Sequence, residues 1–128
     1  MTPTTLVFGG RGGEREAAIA AVLTPGLATA IIVEGLADGL TNEPPAASVH
    51  SVQLVRIAPG CLCCAGNLIL RVTLNRILRR PPAQLFISLA DGAHAGALRA
   101  SLSQAPYQQL LLLQPDIVLG GGEVRRGT

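Results

Sequence analysis

Three thiols fall within four positions, Cys61, Cys63 and Cys64, and they are all the cysteines this chain has. They follow Ala58-Pro59-Gly60, between an apolar stretch ending at Ile57 and an amphipathic one beginning at Leu68. In extended backbone Cys61 and Cys63 project to one face, because side chains alternate with a period of two. Cys64 joins them if the chain turns, and a helix opening near Asn67 supplies the turn. Three thiolates then converge on one soft ion, Zn²⁺ or Cu(I). A stable tetrahedral zinc site takes four ligands. Water, a second protomer, or His50 or His94 has to supply the fourth, although each histidine suits a surface or loop position equally well. Arg56 nearby favours the thiolate form and repels a cation. The plainer use of such residues is packing, since free cysteines are often small buried hydrophobes. The chain is then an interaction domain without metal. A disulfide suits the cluster poorly, because the count is odd and Cys63 and Cys64 are adjacent.

A second stretch has the residue types for phosphate chemistry. Thr4 to Phe8 is a short apolar run that enters Gly9-Gly10-Arg11-Gly12-Gly13, and Glu14 to Leu23 follows with Ile19, Val22 and Leu23 at helical spacing. Strand, glycine-rich turn and helix form the local plan of an anion-binding loop. Gly9, Gly12, Gly13 and Arg15 are the candidate cofactor-binding residues, and no residue stands out as catalytic. All ten basic residues are arginines. The absence of lysine excludes Schiff-base chemistry and a phosphate-loop lysine.

The elements that must position these groups alternate. Leu27 to Glu34 and Gln84 to Ala90 read as fully buried strands, of the kind parallel sheets contain. Val49 to Ile57 reads as a strand, and Leu68 to Arg80 as a helix with Leu70, Leu74, Ile77 and Leu78 on its core face and Arg71, Asn75 and Arg79 in solvent. Pro81-Pro82 stops that helix. Ala93 to Ser103 is expected to be helical, Tyr107 to Leu113 a strand, and Ile117 to Leu119 a further pairing segment. The pattern is α/β with a mainly parallel sheet, a single domain over residues 1–119 followed by a loose tail over 120–128.

Composition narrows the classes. Hydrophobic residues make up 48% of the 128, aromatics 2%, and charged residues 14%. The core is therefore aliphatic, and the sparsely charged surface suggests a homo-oligomer, such as a dimer, or a protein partner. A net charge of +2 argues against nucleic acid as a partner. No apolar run approaches the ~20 residues of a membrane span, and no signal pattern opens the chain. The expected location is the cytoplasm, where thiols stay reduced.

With the glycine-rich turn, Gly60-Cys61-Leu62-Cys63-Cys64 and Gln84-Leu85-Phe86-Ile87-Ser88-Leu89-Ala90-Asp91-Gly92 in one order, Thr4 to Leu102 resembles the GTPase domain of the CobW-type metallochaperone family. These proteins are relatives of the nickel-insertion GTPases of urease and hydrogenase. The resemblance implies a P-loop-type three-layer α/β/α domain, zinc or a related metal on Cys61, Cys63 and Cys64, and GTP with Mg²⁺ at the turn. The chain departs from the family pattern where nucleotide chemistry resides. Glu14 stands at the third loop glycine, Arg15 at the lysine, and Glu16 at the Mg²⁺-binding hydroxyl. Ser88 stands at the Walker-B-type acid, and no guanine-reading motif is present. Glu14 and Glu16 would oppose phosphates, or else cap their own helix. The expected reading is a degenerate member that keeps the metal motif and has lost GTP binding and hydrolysis. A GTPase or ATPase with a non-standard loop is the alternative.

Overall fold

The structure, a computed structural model, describes residues 1–34, 52–57, 68–89, 92 and 95–119. Within these residues the strands are β1 (Thr2–Gly9), β2 (Thr29–Glu34), β3 (Val52–Ile57), β4 (Gln84–Leu89), β5 (Leu111–Leu113) and β6 (Ile117–Leu119). The helices are α1 (Gly12–Val22), α2 (Leu68–Ile77) and α3 (Ala95–Leu102).

The sheet has the order β3-β2-β4-β1-β5, with β6 also on β1, and every pairing is parallel. Alternation along the strands explains the two cores. In β1, Leu6 turns to one face and Val7 to the other, and both are fully buried. Val7, Ile31, Val33 and Phe86 meet Ile19 and Leu23 of α1. On the opposite face Leu6, Ile32, Leu85, Ile87 and Leu89 meet Leu70, Leu74 and Ile77 of α2, together with Leu98 and Leu102 of α3. The result is the expected three-layer α/β/α arrangement, with the parallel sheet that the alternating pattern predicts. β2 is buried along its whole length, as a strand covered on both faces must be.

Burial holds α2 in place. Leu70, Leu74 and Ile77 are buried, each contributing roughly 1.5–3 kcal/mol, while Arg71, Asn75 and Arg79 lie exposed as their spacing predicts. One expected strand is only half strand. Tyr107 to Gln109 forms a 3-10 turn, and the strand begins at Leu111. Tyr107 is buried, and its hydroxyl donates to Asn75 Oδ1 (3.2 Å). An aromatic anchor reaching across to α2 takes this segment out of strand geometry.

The far edge is kinked. Thr4 pairs with Leu113 and Val7 with Ile117, so Thr5 and Leu6 oppose the three residues Gln114, Pro115 and Asp116. An extra residue in one strand bends the edge. Asn67, Val49 to Ser51 and the tail over 120–128 lie outside the described residues.

Candidate functional site at the carboxyl ends of β1 and β4

The connections leaving β1 and β4 depart on opposite faces, β1 through α1 towards β2 and β4 through α3 towards β5. In open α/β sheets, ligands bind at the carboxyl ends of strands where the connections diverge in this way. The glycine-rich turn sits at that point. β1 ends at Gly9 and α1 begins at Gly12, so Gly10 and Arg11 alone form the connection. Gly9 (φ 91°) and Gly10 (φ 61°) adopt left-handed backbone, and a Cβ at Gly9 would run into the Leu119 carbonyl.

This sharp return lets a side chain of α1 fold back into the turn. Arg15 is only 5% exposed. Its Nε donates to Ser88 Oγ (2.8 Å), and its Nη1 donates to the carbonyls of Gly9 (3.2 Å) and Gly10 (3.1 Å). Ser88 is fully buried on β4, in register with Val7 of β1, which places its hydroxyl beneath the turn. Among the described residues the partners of this guanidinium are neutral oxygens. A buried charge needs its donors satisfied, and two carbonyls and a hydroxyl accept three of the five N–H bonds of this group.

Glu14 takes the other half of the turn. The Arg11 N–H donates to Glu14 Oε1 (2.7 Å), which places a carboxylate at the positive end of α1. The space beside Gly10 where a Cβ would point is filled by the same oxygen, at 2.5 Å. An anion cradle works through bare N–H groups facing a ligand. Here a donor at the helix start is already engaged by the protein's own acid. Glu16 turns elsewhere, and its Oε2 pairs with Arg56 Nη1 of β3 at 3.2 Å. Of the two acids, only Glu14 is at the turn.

The sequence-derived residues are distributed accordingly. Gly9 closes β1, Gly12 and Gly13 belong to the first turn of α1 rather than to an open loop, and Arg15 is the buried side chain at the centre. Cys61, Cys63, Cys64, His50 and His94 lie outside the described residues, as do Asp91 and the segment around it. Position 58 follows the carboxyl end of β3, and position 67 precedes α2, so in sequence the cysteine run joins a strand of the sheet to a helix packed on it. Among the described residues no group of three or more His, Cys, Asp or Glu side chains could hold a metal ion. The partnerships Arg15–Ser88 and Glu16–Arg56 were not legible from spacing, because each joins residues far apart in sequence. The available signal was that Arg15 and Ser88 both depart from the family pattern the sequence resembles.

No helix among the described residues is long and apolar enough to cross a membrane. Compared with models of protein families, with curated proteins and with solved structures, the chain matches none.

Proposed function

We propose that this chain is a metal-binding α/β domain of CobW-like type, holding Zn²⁺ or a similar transition ion through Cys61, Cys63 and Cys64 and working without a nucleoside triphosphate. One observation carries the nucleotide half of this reading. Arg15 and Glu14 fill the turn at the end of β1 with the protein's own cation and carboxylate. The turn is two residues long, which is short for a loop that must wrap successive N–H groups around phosphate oxygens. The position of a Mg²⁺-binding hydroxyl holds Glu16, whose carboxylate is paired with Arg56.

The metal half rests on the chemistry of the donor set. Three thiols in four positions suit a borderline-soft ion. In sequence they fall between the end of β3 and the start of α2, and open α/β sheets bind ligands at the carboxyl ends of their strands. The Arg56 charge, which would otherwise oppose a cation, is offset by Glu16.

Protein purified under reducing conditions and titrated against a chromophoric chelator is expected to take up one metal ion per site, and a triple Cys→Ser variant to take up none. Uptake that survives the triple substitution excludes the motif as the ligand set. In parallel, millimolar GTP or ATP with Mg²⁺ is expected to leave the melting curve unchanged. A bound nucleotide at a hundredfold excess over Kd would add about 2.7 kcal/mol, and a shift of that size would favour the alternative, an NTPase with a non-standard loop.

A further inference from the structure

Because every pairing in the sheet is parallel, all strands begin at one edge, opposite the Gly9–Gly10 turn. At that edge the chain leaves α2 and enters β4 through Arg76-Ile77-Leu78-Arg79-Arg80-Pro81-Pro82. Ile77 is buried, and Arg76, Arg79 and Arg80 are exposed. Among the described residues no carboxylate pairs with these three guanidinium groups, and α2 contains no acidic residue. A basic side chain complements the negative end of a helix, but one is enough for that and the effect fades beyond the last turn. Three arginines within five residues exceed it.

Directly beside this ridge is a hollow of about 260 Å³ lined by Met1, Thr2, Leu78, Pro81, Pro82 and Leu110, among others. Leu78, Pro81 and Pro82 of its wall alternate in sequence with the arginines, so the cationic ridge and the apolar hollow are one surface. Its frame is fixed by hydrogen bonds. Thr2 Oγ1 donates to the Pro82 carbonyl (3.1 Å), and the Thr2 N–H donates to the Leu110 carbonyl (2.9 Å). The Arg79 and Arg80 N–H groups bond back to the Arg76 and Ile77 carbonyls. Met1 (69%) and Leu110 (42%) are exposed at the rim.

We propose that this surface docks an acidic segment of a partner protein carrying one large apolar side chain. Carboxylates pair with Arg76, Arg79 and Arg80, and the apolar side chain enters the hollow. Charge complementarity selects an anionic occupant, and the planar guanidinium fork matches carboxylates bidentately. The hollow selects a peptide over other polyanions. Its volume falls short of the roughly 300–1,000 Å³ of pockets for drug-sized ligands and suits a single side chain. No aromatic face lines it for stacking nucleic-acid bases, and a concave apolar wall does not insert into a bilayer. The proposal is independent of the metal reading, which concerns the opposite edge.

Fluorescence anisotropy with a labelled peptide of alternating glutamates around a central phenylalanine tests it, beside the same peptide with a central serine. The phenylalanine peptide is expected to bind about tenfold or more tightly, the effect of sheltering one large apolar side chain. The triple variant Arg76→Gln, Arg79→Gln, Arg80→Gln is expected to weaken both peptides about tenfold, at roughly twofold per exposed charge. Leu110→Ser, which adds no charge, is expected to remove only the advantage of phenylalanine. No binding, equal binding of the two peptides, indifference to the triple variant, or tighter binding to duplex DNA or phosphatidylserine vesicles would each overturn the proposal. The two-peptide comparison uses the unmodified chain, so it decides even if a variant fails to fold.

Discussion

Arg15 is a cation buried among neutral oxygens, and its energetics are coupled to those of Ser88. Arg15→Met would strand the Ser88 hydroxyl and the Gly9 and Gly10 carbonyls, at an expected cost of about 2–4 kcal/mol. Ser88→Ala would leave the Nε–H without its acceptor, at about 1–3 kcal/mol. In the double variant neither group remains to be stranded by the other, so the combined cost is expected to fall short of the sum by about 1 kcal/mol or more. Urea denaturation of the four proteins checks this. Strict additivity would mean that the 2.8 Å contact contributes no coupling. Ser88 therefore has a positive role as the acceptor that lets an arginine occupy the position beneath the turn.

At the scale of elements, the edge strand next to β1 is split into β5 and β6 by Gln114-Pro115-Asp116. Pro115 has no N–H to give to a ladder. The Gln114 N–H donates to the Thr4 carbonyl (2.8 Å), which keeps the kink attached to β1. Arg99 of α3 clamps it from above, its Nη1 donating to Asp116 Oδ1 (2.7 Å) and to the Gln114 carbonyl (3.1 Å). Both charged partners are about a third exposed, so the clamp is worth only about 0.5–1 kcal/mol. Arg99→Ala is expected to lower global stability by that amount and to speed amide hydrogen exchange in β6 more than in β4. Equal acceleration in both strands would show that the clamp is not local. The kink also blunts an edge that would otherwise template strand addition.

For the whole molecule, the proposed metal binding would be linked to folding. An ion that binds the native chain better than the unfolded one raises the melting temperature in proportion to that difference, and residual binding by unfolded cysteines reduces the gain. Zinc is expected to raise Tm of the reduced protein and to leave a triple Cys→Ser variant unmoved. The gain should shrink towards acid pH, because protons compete for the thiolates. Calorimetric scans with and without zinc check both. An equal rise in protein and variant would place the ion elsewhere. The order of elements gives this linkage its route, since in sequence the cysteine run joins β3, paired to β2, to α2, and Ile57 of β3 packs in the same core as α2. Fixing the run constrains strand and helix together.

The layers were legible in the sequence because hydrophobic periodicity is local. The buried run at Thr29–Glu34, the 3.6-residue stripe of Leu70, Leu74 and Ile77, and the stops at Pro25-Gly26 and Pro81-Pro82 each report a burial pattern within one element. Cys61, Cys63 and Cys64, the proposed donor set, stand out in the sequence for the same reason, residue type at short spacing. Partners chosen across the fold were not. That Arg15 finds Ser88, that Glu16 turns to Arg56 while Glu14 stays at the turn, and that Tyr107 reaches Asn75 depend on strand order and register, which bring residues 32 to 73 positions apart into contact. The basic ridge of α2 could be read from spacing alone. Its apolar neighbour could not, because Met1, Pro82 and Leu110 meet only once β1 lies between β4 and β5. Sequence determines which faces must be buried, because that free energy is additive along an element. Tertiary structure decides which polar groups face one another, because hydrogen bonds are short and directional and exist only after the layers have closed.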